Sequence, residues 1–273
     1  MPQVQLNGTS LYYETHGSGV PIVFIHDHLS SHHVFGPQVE YFSKRVRVIV
    51  FDLRGYGRSG RMDIEVNRII DTQCEDLKEL LEKLGVPKAI LVASSSGGIL
   101  AQKFTAIYPG FVHALVLVDS DVKAIPAVKN KKIKSMVEAL AWVTHYLPAE
   151  FFIRSLRVSY NKWLIAYHIL RRELQHKRPT ELIKQHIALS QIDILTCTKQ
   201  IRVPVLCVTG AQNERRLRQV QQEMVNFPHA QKVVLQDAMY PTHLCQPHIF
   251  NRLVLDFIID LHILHQKQCA EIS

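Results

Sequence analysis

The chain of 273 residues lacks any apolar stretch long enough to cross a bilayer; its apolar runs are short and end at Gly, Pro or a charged residue. It also lacks Cys-x-x-Cys spacing. The five cysteines (Cys74, Cys197, Cys207, Cys245 and Cys269) are scattered and odd in number, which speaks against a disulfide frame or a zinc site and for reduced thiols. The opening MPQVQLNGTSLYYE has no basic start followed by an apolar run, so a secretory signal is not expected and a cytoplasmic location is. Internal repeats and low-complexity linkers are missing too. With 47% hydrophobic and 21% charged residues, the chain has the balance of a globular protein rather than a disordered one.

What is present is an uneven charge. Between Asp121 and Lys199 there are fourteen Lys/Arg and six Asp/Glu, and this one segment holds the whole net charge of +8. Two building units with different surfaces are expected. The hydrophobic pattern divides the chain at the same places. Asn7-Gly8 separates two short alternating runs and suggests an opening hairpin. Pro21–His26, Val46–Asp52, Ala89–Ala93 and Ala114–Asp119 are continuous apolar runs of the kind that suit strands buried on both faces. Helical patterns over Ile70–Leu84 and Gly97–Tyr108 alternate with them. The strand pattern stops at Asp121, resumes at Val203–Thr209 and Lys232–Leu235, and closes with a helix around Ile249–Leu264.

The expected fold is therefore α/β: a mostly parallel central sheet with helices on both faces and an inserted helical cap. Residues 1–120 and 200–273 form the core, and 121–199 form the basic cap. Within the cap, Phe151–Leu174 interleaves Arg and Lys with Phe, Leu, Trp, Tyr and Ile. The plain reading is a cap helix with its apolar side over the site and its cations in solvent. The sharper one is a weak contact with an anionic membrane or an acidic ligand. Nucleic acid is not expected, because no binding module accompanies the charge.

The strongest local signal is Leu91-Val92-Ala93-Ser94-Ser95-Ser96-Gly97-Gly98, an apolar strand that runs into a helix through a turn of small residues. A nucleophile on such an elbow needs small neighbours, because the strained turn brings backbones close together. Ser95 and Gly97 fit the Gly-x-Ser-x-Gly pattern, with Ala93 in place of its first glycine. The N–H of Ser96, at the helix start, would face a developing oxyanion.

Val20–His26 with Asp27-His28, then Phe51-Asp52-Leu53-Arg54-Gly55-Tyr56-Gly57-Arg58-Ser59-Gly60, then the elbow, resemble the α/β-hydrolase superfamily in order and spacing. The resemblance continues through Pro204–Gly210 and Val233–Pro247 and covers nearly the whole chain outside the cap. It implies a serine nucleophile at Ser95, an acid and a histidine. In such proteins the loop after His26 supplies the second oxyanion N–H, usually with glycine where this chain has Asp27. The family's acid position falls on Asn213, and Asp119 or Asp121, at the end of the preceding strand, could replace it. The histidine position falls on Tyr240, a poor general base with an ordinary pKa of about 10. His243, three residues on, and His28, on the oxyanion loop, are the candidate substitutes. His26-Asp27-His28 with His32-His33 matches no zinc spacing, and neither a metal nor a cofactor is expected.

Three functions fit these residues. One is a slow or unconventional serine hydrolase of a small ester, thioester or lactone, using Ser95 with the oxyanion held by Ser96 and the Asp27-His28 loop. Another is a pseudo-hydrolase that binds a small apolar or ester-like ligand for sensing or scaffolding. The weakest is a cofactor-free lyase or oxygenase. Haloalkane dehalogenase or epoxide hydrolase chemistry is disfavoured, since relatives of that kind place Asp rather than Ser on the elbow. The departures at Asp27, Ala93, Asn213 and Tyr240 cluster on chemical positions while the strands stay regular, which is the best sign of altered chemistry.

Overall fold

The computed structural model describes residues 3–120, 147–212, 227 and 230–263. Asn7-Gly8 turns strand β1 (Gln3–Leu6) into β2 (Thr9–His16), and the two pair antiparallel. Strand β2 in turn pairs antiparallel with β4 (Arg47–Phe51). From β4 onward the pairing is parallel, through β3 (Pro21–Ile25), β5 (Ala89–Ser94), β6 (Val112–Val118), β7 (Val205–Gly210) and β8 (Gln231–Leu235). The order across the eight-stranded sheet is β1-β2-β4-β3-β5-β6-β7-β8. Strands β3, β5 and β7 are buried at every residue, as helices on both faces of a sheet require. The expected fold class is the one observed.

Alternate residues of the central strands feed two cores. Val23, Ile25, Leu91 and Ala93 face one side, where α2 (Ile69–Lys83) and α3 (Ser96–Ile107) bury Leu77, Leu80, Leu81, Leu100 and Phe104. Ile22, Phe24, Ile90 and Val92 face the other, against α1 (Gly36–Phe42) and the C-terminal helix, with Phe35, Phe42, Phe250 and Phe257. Each fully buried side chain of this size stabilises the fold by roughly 1.5–3 kcal/mol. The sheet is therefore a stiff support for whatever its C-terminal strand ends carry.

Four described helices lie between β6 and β7: α4 (Ala149–Ser159), α5 (Leu164–Gln175), α6 (Pro179–Gln191) and α7 (Ile194–Gln200). The run from Phe151 to Leu174 is two helices, not one. The chain leaves helical geometry around Tyr160–Trp163, and both aromatics turn into the second core. Helix α6 lies against α2 through a reciprocal amide pair, Gln73 with Gln185, at 2.8 and 3.0 Å. Helix α7 packs on α3, where the Thr198 hydroxyl meets Gln102 Oε1 at 2.9 Å. Just before α6, Arg178 donates to the carbonyls of Gly55, Ser59 and Gly57, and Lys184 donates to that of Met62. After β8 come a short α8 (Thr242–Cys245) and α9 (Pro247–Asp260), the latter starting two residues before the apolar pattern suggests. Among the described residues no helix is long and apolar enough to cross a membrane.

Candidate active site

Strand β5 delivers Ser95 into a turn with φ 48° and ψ −120°, immediately before α3. A non-glycine residue in that region is strained, at a cost of roughly 1–3 kcal/mol, and persists only where its surroundings over-determine it. They do so here. Ser95 N donates to the Val118 carbonyl at 2.9 Å, and the Ser120 hydroxyl donates to the Ser95 carbonyl at 2.7 Å. Gly97 passes so close to β3 that a Cβ there would stand 2.4 Å from the His26 carbonyl oxygen and 2.7 Å from that of Ile25. This is the geometry of a nucleophile elbow, with half-buried Ser95 at the start of a helix.

The oxyanion loop departs from a donor surface. Asp27 is buried, and its Oδ1 accepts the Leu29 N–H at 2.6 Å. Its Oδ2 accepts the hydroxyl of Tyr240 at 3.0 Å. The residues that the family resemblance sets in the histidine and glycine positions are thus bonded to each other. The carbonyl of Tyr240 in turn accepts the hydroxyl of Tyr160, at the break between α4 and α5. Asp119 holds this loop from below: Oδ2 accepts Thr242 N–H at 2.7 Å, and Oδ1 accepts the Thr242 hydroxyl at 2.8 Å. The candidate replacement acid therefore reaches the loop of the base, gripping Thr242 two residues beyond Tyr240. Asn213 and Asp121 lie outside the described residues.

The histidines have separate positions. His26 Nε2 accepts the Leu53 N–H at 2.9 Å, which leaves Nδ1 as donor to the Asp27 carbonyl at 2.7 Å. Complete burial holds its pKa below the ordinary histidine value, so this ring is a neutral brace between two loops. His28 turns to Ser96 rather than to Ser95. The Ser96 hydroxyl accepts the His28 N–H at 2.8 Å and lies 2.8 Å from His28 Nδ1, an arrangement in which Oγ–H donates to the ring. His243 is fully buried, stacked on Phe35 with centroids 5.0 Å apart and tilted towards Phe250. Burial lowers its pKa to about 4, softened only weakly by the Asp27 carboxylate and the Val34 backbone, and its ring nitrogens make no hydrogen bond of good geometry among the described residues. The structure seats it in the core beside the loop.

Two further networks flank the oxyanion loop. Asp52 Oδ1 accepts both the N–H and Nδ1 of His32, at 2.9 and 2.7 Å, and Oδ2 accepts Arg58 N–H at 2.8 Å. Burial alone would raise the pKa of Asp52, but the bond from His32 brings it below the ordinary value. Next to it, the Ser31 hydroxyl lies 3.0 Å from His33 Nδ1 and 3.1 Å from Glu173 Oε1 on α5. Burial pushes the Glu173 carboxyl up to about 7, and the same cause, with the neighbouring His32, lowers His33 to about 4. Sequence reasoning did not single out Ser31 or Glu173, and it weighed His33 only for a zinc spacing that it did not match. The only available signal was an acidic residue on the apolar side of a cap helix, which spacing alone does not distinguish from an exposed one.

The elbow, the brace behind it and the sheet order define a hydrolase-fold site, and comparison with known proteins agrees. The sequence profile of the alpha/beta hydrolase fold family matches residues 20–239, and the chain belongs to that family. It is similar over nearly its whole length to the pimeloyl-[acyl-carrier protein] methyl ester esterase of Aliivibrio salmonicida, at 26% identity across 95% of this chain and 97% of that one. The AB hydrolase superfamily protein YisY of Bacillus subtilis is 27% identical, covering 74% of this chain and 77% of its own length. With mouse epoxide hydrolase 3 the identity is 30% over 119 residues, so the chain spans about a third (32%) of that relative's length. Among solved structures, a thermophilic esterase from Thermogutta terrifontis superposes with a TM-score of 0.79 over 96% of this chain and 100% of that one, at 22% identity.

Proposed function

We propose that this chain is a ligand-binding member of its family that has given up acyl transfer, with a sensing or scaffolding role. The observation that carries the reading is the hydrogen bond from the Tyr240 hydroxyl to Asp27. A serine hydroxyl needs a base to become a nucleophile, and loss of the histidine from a serine triad costs on the order of 10⁶ in turnover. Here the base position holds a phenol whose proton is already committed to a carboxylate. That carboxylate stands in the loop where a developing oxyanion needs donors. At about 5 Å and an effective dielectric near 20, two like charges oppose each other by roughly 3 kcal/mol. His26, His28 and His243 each have another position, as a brace, on Ser96 and in the core.

One observation favours a second reading. The Ser96–His28 bond is a hydroxyl donating to an imidazole one residue beyond the elbow, which would support slow hydrolysis of a small ester, thioester or lactone. Exposure to a fluorophosphonate, followed by intact mass, separates the two. No adduct on folded protein is the expected result. An adduct lost in Ser95→Ala would overturn the proposal, and one lost only in Ser96→Ala would establish the second reading instead.

A further inference from the structure

Beside the oxyanion loop, between the Gly55–Gly60 turn and α5, the molecule encloses a cavity of about 400 Å³. Its wall carries four basic side chains, Arg58, Arg172, Lys177 and Arg178, and two histidines, His33 and His176, against a single carboxyl, Glu173. Arg178 is occupied by backbone carbonyls. The other three are not fully engaged. Arg58 gives one nitrogen to the Tyr12 hydroxyl and leaves Nε and Nη2 without an acceptor among the described residues. Arg172 makes no side-chain hydrogen bond among them, and Lys177 gives one proton to the Leu147 carbonyl. Tyr56 also lines the cavity; its side chain is 4% exposed, and its buried hydroxyl has no hydrogen-bond partner among the described residues.

Donors therefore converge on this space from three elements, and acceptors are scarce. Glu173 fits the same description, since burial keeps its carboxyl partly protonated near neutrality and able to donate. We infer that the cavity is a recognition site for the acidic oxyanion group, carboxylate or phosphate, of a small organic molecule. Arg58 and Arg172 would clamp that group from opposite walls, and Lys177 would add a third charge. The volume falls within the range of small-molecule sites and leaves room for a short carbon chain behind the charged head. Leu29, Ser30 and Ser31 line the cavity and follow Asp27-His28 directly in the chain, so the site shares a loop with the elbow. The inference rests on the proposed function only in treating the acid as a bound ligand rather than a substrate.

Isothermal titration calorimetry at low ionic strength tests it, with adipate, inorganic phosphate and the neutral dimethyl adipate as probes. Saturable binding of at least one anion, weakened about tenfold or more by Arg172→Ala and several-fold by Lys177→Ala, is expected. Arg172 is exposed, so its removal leaves the fold intact, and a thermal melt of the variant checks this. Tighter binding of adipate would identify a carboxylic acid as the natural head group, and tighter binding of phosphate a phosphate ester. The inference is overturned if neither anion saturates by about 20 mM. It is equally overturned if the neutral diester binds as well, or if binding survives Arg172→Ala and Lys177→Ala unchanged. Ser95 labelling with intact anion binding would refute the proposed function and leave this site standing.

Discussion

At the elbow, Ser95 keeps its left-handed turn, Gly97 its close pass under β3, and Ser120 its bond to the Ser95 carbonyl. At the loop after β8 the backbone path is equally well held, by Asp119 on Thr242, but the side chain aimed at the oxyanion loop is a tyrosine bonded to an aspartate. The two regions differ in what constrains them. The small residues of the elbow answer to packing, because a larger one collides with strand backbone whether or not the protein catalyses anything. The positions expected for the base and the oxyanion glycine answer to chemistry alone, and under the proposed loss of acyl transfer nothing in the fold requires a histidine or a glycine there. On that proposal the elbow reports architecture rather than activity.

The largest test of that contrast is Gly97→Ala. Its methyl group would sit 2.4 Å from a backbone oxygen that cannot move without β3, and a loss of about 3 kcal/mol or more is expected in urea unfolding. A loss below about 1 kcal/mol would show the elbow to be as permissive as the loop. Next comes His243. Its folded pKa of about 4 lies below the ordinary value near 6.5, so the neutral ring contributes stability that is present above pH 6.5. That contribution is lost as pH falls towards 4 and amounts to about 3 kcal/mol. The groups that bear on this ring are Asp27, the Val34 backbone, Phe35 and Phe250. His243→Leu should flatten the decline between pH 6.5 and 4, and an unchanged acid limb would argue that the ring is not buried in solution.

The smallest effect is the most pointed. Tyr240→Phe strands one oxygen of a buried carboxylate and should cost about 1–2 kcal/mol. Combined with Asp27→Ala, the loss should fall short of the sum by about 1 kcal/mol, since the second change removes the group that the first left unpaired. Strict additivity would mean that the two side chains do not interact in solution, and the structural case for lost catalysis would go with it.

The sheet was legible because its strands are continuous apolar runs with turn residues at their ends, and the elbow because Ser95-Ser96-Gly97-Gly98 follows such a run. The roles expected at Ser95, Asp27 and Tyr240 came from what the family resemblance implies for those positions. Their contacts did not. Asp27 and Tyr240 are 213 positions apart, and nothing in either segment announces that one bonds the other. His243 reads as a candidate base because it is close to Tyr240 in sequence, but α8 begins at Thr242 and turns the ring inward on Phe35. His28 reads as a neighbour of Ser95, and the elbow offers it Ser96 instead. Glu173 was hidden for a similar reason: its buried contact is with Ser31, 142 positions away, which local pattern does not reveal.

The bonds from Arg178 to the carbonyls of Gly55, Gly57 and Ser59, with that from Lys184 to Met62, have a bearing on hydrogen exchange. Four carbonyls of a glycine-rich core loop are held by two side chains of the inserted segment, and Glu181 returns an acceptor to Met62 N–H. Neither partner can open without releasing the other. The amides of residues 55–62 and of α6 should therefore exchange with deuterium as one cooperative unit, at a single free energy of opening, although more than a hundred residues separate them in the chain. Helices α4 and α5, which make no such cationic ties to that loop among the described residues, are free to open at another.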